Sequence, residues 1–344
     1  MKILKSEKGV ALIVVLWVMV ILSFLLISLS EDIQLESYLT RNIMEKTHIK
    51  YVAQAGIARG IAALQNDETL ADGVDENWVE PIEAQIEDKG TFEVEIEDIG
   101  SRFNINNVGD PVLTALFNEE SKGFSKWRIQ HYPIIISEEL SEYQGIEIAG
   151  MEDMITYYGN FNILTDDQTI LKEIMIANDV TTWSADQMIE KIEEMKESKE
   201  PIKSFDQLMK KVPGFDMTTY ERIKDDVDMT GNINVNLASK KVLKKLVDSL
   251  DLSVDNVEAI SKLRQEHTIK DINELKQIIT EENLKRLTPY LDVNSRYFRI
   301  TCHAKSTSKS LEKKIVVELE RIPEKISQGM VLEWRTKILS WLES

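Results

Sequence analysis

The chain has 344 residues, a formal net charge of −18 and a single cysteine, Cys302. So acidic a surface repels nucleic-acid phosphates, and one cysteine excludes an internal disulfide. The length suffices for one membrane segment and two outer domains, each with its own core.

Val10 to Ser30 is a run of twenty-one residues without a charge. At about 1.5 Å of rise per residue it can cross the roughly 30 Å core of a bilayer. Lys2, Lys5 and Lys8 precede the run and Glu31-Asp32 closes it. These lysines place the N-terminus on the cytoplasmic side and everything after Ser30 on the outer face. No Ala-x-Ala-like site follows, which disfavours an ordinary cleaved signal peptide. From Glu31 to Gln65 there is no proline and helix formers dominate, up to the break at Asn66-Asp67. One helix is therefore predicted over residues 10–66, a rod of about 80 Å whose transmembrane half is 10–30. Ala53, Gly56, Gly60 and Ala63 fall three and four apart on one face, where another backbone could approach closely. Each interior glycine costs about 1 kcal/mol relative to alanine, which points to a packing reason.

Strand patterns come next. Thr91–Glu97 alternates, with Phe92, Val94 and Ile96 on one face. Near the other end, Tyr297–His303 and Lys314–Glu320 alternate around a polar turn, Lys305–Ser310, and read as a hairpin. Nearly two hundred residues with little strand signal separate the two regions. The expected fold class is α+β: a long N-terminal helix, a small antiparallel sheet, and a large all-α insertion interrupting it.

The insertion carries a repeat. Phe103-Asn104-Ile105-Asn106, Phe161-Asn162-Ile163-Leu164 and Ile233-Asn234-Val235-Asn236 are versions of one motif. At fixed distances follow Val112, Leu113 and Leu116; Ile170, Leu171 and Ile174; and Val242, Leu243 and Leu246, each set one face of a helix. Asp110 before Pro111 and Ser239 are the expected helix caps. Asn104, Asn106, Asn162, Asn234 and Asn236 are assigned to turns in which the side chain bonds backbone and fixes entry into the helix. Ile202–Leu208 matches Ile269–Leu275 as a further shared element.

A short cationic leader ending in Gly9, an apolar helix and an extended continuation resemble the type IV pilin-like proteins. In that family a prepilin peptidase cuts after the glycine and the new N-terminus is methylated. Carried over, the cleavage lies between Gly9 and Val10, and Val10 is the methylated residue. Most members have glutamate at the fifth mature position, where this chain has Val14. A carboxylate in the apolar core is costly unless paired, and in these fibres it is thought to pair with a neighbour's terminal amine. A tip subunit has no neighbour ahead of it. The lack of glutamate, the size and the insertion resemble the minor pseudopilin K family of type II secretion systems (general secretion pathway protein K), from Gly9 to about Ile322.

The resemblance implies a non-enzymatic subunit capping the tip of a type II secretion pseudopilus. Its implied partners are I- and J-type minor pseudopilins, the prepilin peptidase and the membrane, with no nucleic acid. Its implied place is the inner membrane, crossed once, with the bulk on the periplasmic or outer face. The implied layout is a leader over 1–9, a pilin-like sheet from 67–100 and 295–322, the insertion over 101–294 and a tail over 323–344.

Two alternatives remain: a minor pilin of a type IV pilus, and a membrane-anchored helix-hairpin-helix receptor for DNA. INVNLASKKVLKKL through AISKLRQEHTIKDINELKQI resembles the helix-hairpin-helix domains of competence proteins, which grip phosphates with backbone amides of a glycine-containing hairpin. The matching turn, Ser249–Val254, has no glycine and contains Asp251. His48, His131, His267 and His303 lack zinc spacing, and no nucleophile elbow, Walker loop or dinucleotide fingerprint is present. No cofactor is expected. Asp166-Asp167 and Asp225-Asp226-x-Asp228 are candidates for calcium only outside the twelve-residue loop pattern, which neither fits. In the tail, Met330, Val331, Trp334, Ile338, Leu339, Trp341 and Leu342 recur at helical spacing, predicting an amphipathic helix docked on its own domain.

Overall fold

The computed structural model describes residues 7–87, 89–135, 139–140, 142–143, 150–197, 202, 204–307, 311–327 and 330–344. Helix α1 (Glu7–Gln65) has 59 residues, a rod of about 90 Å. Its apolar side chains from Leu12 to Met44 are exposed, whereas Ile49, Val52, Ala53, Ile57 and Leu64 are buried. The spacing of the second set puts it on one face, so the same helix is bare in its first half and a core element in its last turns. Among the described residues, α1 is the one helix long and apolar enough to cross a membrane.

Strands β1 (Ile82–Ile86) and β2 (Gly90–Asp98) follow as an antiparallel pair. The chain then leaves the sheet for three repeats. Each opens and closes with a two-residue strand, and the two strands pair in parallel. These are β3 (Phe103–Asn104) with β4 (Ile155–Thr156), β5 (Phe161–Asn162) with β6 (Val227–Asp228), and β7 (Ile233–Asn234) with β8 (Leu291–Asp292). The first repeat carries α2 (Asp110–Phe117) and α3 (Ser121–Gln130). The second carries α4 (Gln168–Ala177), α5 (Thr182–Glu197), α6 (Phe205–Lys211) and α7 (Met217–Ile223). The third carries α8 (Lys240–Ser249), α9 (Asp255–Glu266), a 3-10 turn at Ile272–Gln277 and α10 (Glu281–Leu287). All nine apolar residues that follow the repeat motifs are buried. Leu113 and Leu116 share a core with Leu243, Leu246 and Ile260, whereas Ile170, Leu171 and Ile174 form a separate one with Met188 and Ile192. The first and third repeats are therefore fused, and the second stands on its own core.

The chain returns as β9 (Tyr297–Lys305), β10 (Glu312–Ser327) and β11 (Met330–Glu343). The finished sheet is antiparallel in the order β1-β2-β9-β10-β11. Cross-strand rows such as Val94, Cys302 and Ile315 meet the buried face of α1 in one core. This is the expected α+β arrangement of long helix and antiparallel sheet.

Two local expectations are corrected. The tail is not a helix: it is strand β11, hydrogen-bonded along β10. Irregularities in that ladder explain the misleading period. Ile338 faces Leu319 and Ser340 faces Glu318, leaving Leu339 as an extra residue; Val331 faces Ile326 and Glu333 faces Lys325, leaving Leu332 likewise. A bulge adds one residue to a strand, so two of them turn a period of two into the steps Val331, Trp334, Ile338 and Trp341, which mimic a helix. The second correction concerns α2: Gly109 is its N-cap, and Asp110 lies inside the first turn. Ser239 does cap α8, accepting from the Val242 amide.

Candidate functional site

Two places carry the chain's distinctive chemistry: the start of α1, and the junction where the repeats meet the sheet. Gly9 and Val10 lie in the first turns of α1, and the leader residues before Glu7 lie outside the described residues. Val14 is exposed on the bare half of the helix. Beyond it the small-residue face has its packing reason within the chain. A Cβ on Gly56 would sit 2.4 Å from Cys302 Sγ, and one on Gly60 would sit 2.9 Å from Ile300 Cγ2. The backbone that approaches this face is the chain's own sheet, so the stripe is spent internally.

At the far end of α1, Arg321 of β10 is fully buried. Its guanidinium reaches Asp67 Oδ2 at 2.9 Å and Asp72 Oδ1 at 2.5 Å, and lies over the rings of Phe298 (4.7 Å) and Trp334 (4.1 Å). The other Asp72 oxygen accepts from the Ser295 amide at 2.6 Å. The Asp72 carbonyl accepts from Asn234 Nδ2 at 3.0 Å and Asn236 Nδ2 at 3.1 Å. One buried cluster thus ties the loop after α1, strand β10 and the third repeat together. Burial pushes the Asp72 carboxyl up to about 7, against the pull of Arg321. Sequence reasoning missed this cluster, since Arg321 and Asp67 lie 254 residues apart and its members share no motif.

The repeat asparagines act twice each. Asn104, Asn162 and Asn234 accept, through Oδ1, from the amides of Asn106 (3.0 Å), Leu164 (2.9 Å) and Asn236 (2.8 Å). The same turn is therefore closed in every copy. Their Nδ2 groups reach outward. Asn104 donates to the Gly159 carbonyl just before the second copy, and Asn162 donates to the Thr230 carbonyl just before the third. The ring closes through a backbone group, the Asn234 main-chain N–H donating to Ser101 Oγ before the first copy at 2.9 Å. Asn106 and Asn236 pin Ile134 and Ile269, each accepting the amide and donating to the carbonyl of its partner. The first and third copies carry this second asparagine; the second has Leu164 instead.

After the first helix of each copy one residue is left-handed: Asn118 (φ 53°), Asp179 (φ 62°) and Asp251 (φ 48°). Asparagine and aspartate tolerate this region better than other side-chain-bearing residues. The hairpin turns that would offer bare amides to a phosphate thus carry aspartate at Asp179 and Asp251. The acidic clusters are likewise engaged. Asp166 accepts from the Asn162 amide at 2.7 Å, and Asp167 caps α4 and pairs with the buried Arg128 at 2.8 Å. Asp226 accepts from Asn178, and Asp228 from the Met229 amide. Among the described residues no three His, Cys, Asp or Glu side chains converge as a metal site.

No protein-family description matches the chain, and no curated protein matches it. Among solved structures it is similar to a chain of "The Crystal Structure of the GspK-GspI-GspJ complex from enterotoxigenic Escherichia coli Type 2 Secretion System". That similarity has 15% identity and a TM-score of 0.39, and covers 89% of this chain and 99% of the other.

Proposed function

We propose that the chain is a membrane-anchored, non-enzymatic subunit of a pilin-type fibre, and specifically a minor pseudopilin that caps the fibre tip. The observation that carries this reading is the division of α1. Its first half presents bare apolar side chains suited to lipid and to neighbouring helices, while its last turns are built into the head. Val14 in place of a carboxylate suits a subunit with no neighbour ahead of it. The three-repeat insertion adds bulk beside the sheet, which a terminal position accommodates and a closely packed stack does not. On this reading Gly9–Val10 is the processing site, Val10 is methylated, and I- and J-type minor pseudopilins are the partners. The N-terminus faces the cytoplasm, and the head stands outside the inner membrane.

The test is the mass and N-terminal sequence of the protein from membranes that contain an active prepilin peptidase. The expected species begins at Val10 and carries one added methyl group. A chain that retains Met1 to Gly9, while a control prepilin in the same membranes is cut, overturns the reading. Co-purification with I- and J-type subunits, lost when the insertion is intact but α1 is shortened, tests the assembly step.

A further inference from the structure

A cleft of about 700 Å³ opens between the second and third repeats. Its floor is apolar, formed by Leu164, Met229, Leu284 and Leu291. Lys196, at the end of α5, and Lys276 and Lys285, from the third repeat, stand along its walls. Lys285 is engaged with Glu281 at 3.4 Å, both ends largely exposed. Lys196 and Lys276 make no ion pair or hydrogen bond among the described residues. Asp292, also at the cleft, turns its Oδ1 into its own loop, accepting from the Val293 amide at 2.7 Å. Burial pulls the Lys196 ammonium down to about 8, with Asp166, Asp167 and Glu193 opposing. Apolar clefts of this size with a few placed polar groups are typical of binding sites.

Among the described residues, the rest of the polar lining is Glu281, held by Lys285, with Thr230, Asn273 and Thr288. Thr230 keeps its hydroxyl, and Asn273 its amide oxygen, without a partner among the described residues. Both side chains are exposed at the rim, where they can meet the donor and acceptor that a peptide backbone offers at every residue and a hydrocarbon tail lacks. Over the rest of a chain of net charge −18 an acidic ligand is repelled. We propose that this cleft binds an acidic peptide segment of a partner protein, whose carboxylate meets Lys196 and Lys276 while adjacent apolar side chains fill the floor. The cleft's chemistry is independent of whether the chain enters a fibre.

The test uses the full chain in phosphatidylcholine nanodiscs at neutral pH and low salt. The probe is a short fluorescein-labelled peptide alternating leucine and glutamate, compared by anisotropy with its leucine–glutamine counterpart. The glutamate peptide is expected to bind roughly tenfold more tightly, and the Lys196→Met/Lys276→Met double variant to lose about the same factor. Lys276→Gln alone changes only an exposed side chain, so the fold is retained, and it is expected to weaken binding about threefold. Equal affinity for the two peptides, or binding unchanged by Lys276→Gln, overturns the proposal. Binding of sodium dodecanoate with none of the glutamate peptide overturns it in favour of a lipid carboxylate.

Discussion

Gly56 shows how one missing side chain positions a long helix. With the Cβ site 2.4 Å from Cys302 Sγ and 3.1 Å from Phe92, alanine there must push α1 off β9 or distort the sheet. Gly56→Ala is expected to cost about 1–3 kcal/mol, read as a lower melting temperature, and Cys302→Ala in the same chain should recover part of it. A melting temperature unchanged by Gly56→Ala would mean that α1 and the sheet are less closely seated. The buried carboxylates set a pH dependence at the same scale. Burial pushes Asp166 up to about 7 and Asp292 up to about 6, from an ordinary value near 4. Between those limits the folded chain holds protons that the unfolded chain has released, so stability falls as pH rises from about 4 to 7 and levels off above. The protein should melt at a higher temperature at pH ~5 than at pH ~8, and Asp166→Asn should reduce that difference while leaving the shares of Asp72 and Asp292. The asparagine keeps the carbonyl oxygen that accepts from the Asn162 amide.

At the scale of elements, β11 is the piece whose role changed most between sequence and structure. It pairs with β10 from Ile315 to Ser327, and its Trp334 donates to the Asp67 carbonyl at 2.6 Å while stacking on Arg321. Removing residues 330–344 would expose Arg321 and leave β10 unpaired on one side. The truncated chain is expected to lose cooperative melting in its sheet, followed by tryptophan fluorescence and circular dichroism; a native-like transition would show that the strand is dispensable. The asparagine turns follow the same logic in miniature, because Asn104 and Asn162 each satisfy their own turn and the loop before the next repeat with one side chain.

Across the whole molecule, the repeats are unequal. The first and third share one core, and the buried Asp67–Arg321–Asp72 cluster and Asn234 lock the third to the sheet. The second has a core of its own and attaches through Asn162, Asp167 and the Asn104–Gly159 bond. Local opening follows the number of buried contacts that must break. Native-state hydrogen exchange should therefore show α4 and α5 opening at lower free energy than α8, α9 and β9. Equal protection in both regions would mean that the ring of asparagine bonds couples all three copies into one unit.

Much of this organisation was written in local pattern. The uncharged run, the proline-free continuation, the alternating strands β2, β9 and β10, and the thrice-repeated asparagine motif each depend on spacing within a few turns or residues, which the chain itself displays. What the tertiary structure decided lies where partners are distant or where the ladder departs from its ideal period. Two bulges gave β11 the spacing of a helix, and only the register against β10 reveals it as a strand. The small-residue face of α1 is the same whether a neighbour or the chain's own sheet packs there, and the contact with Cys302 settles which. The Arg321 cluster has no local signature at all: a buried charge must be paired, but which carboxylates pair with it is a property of the folded chain, not of any segment.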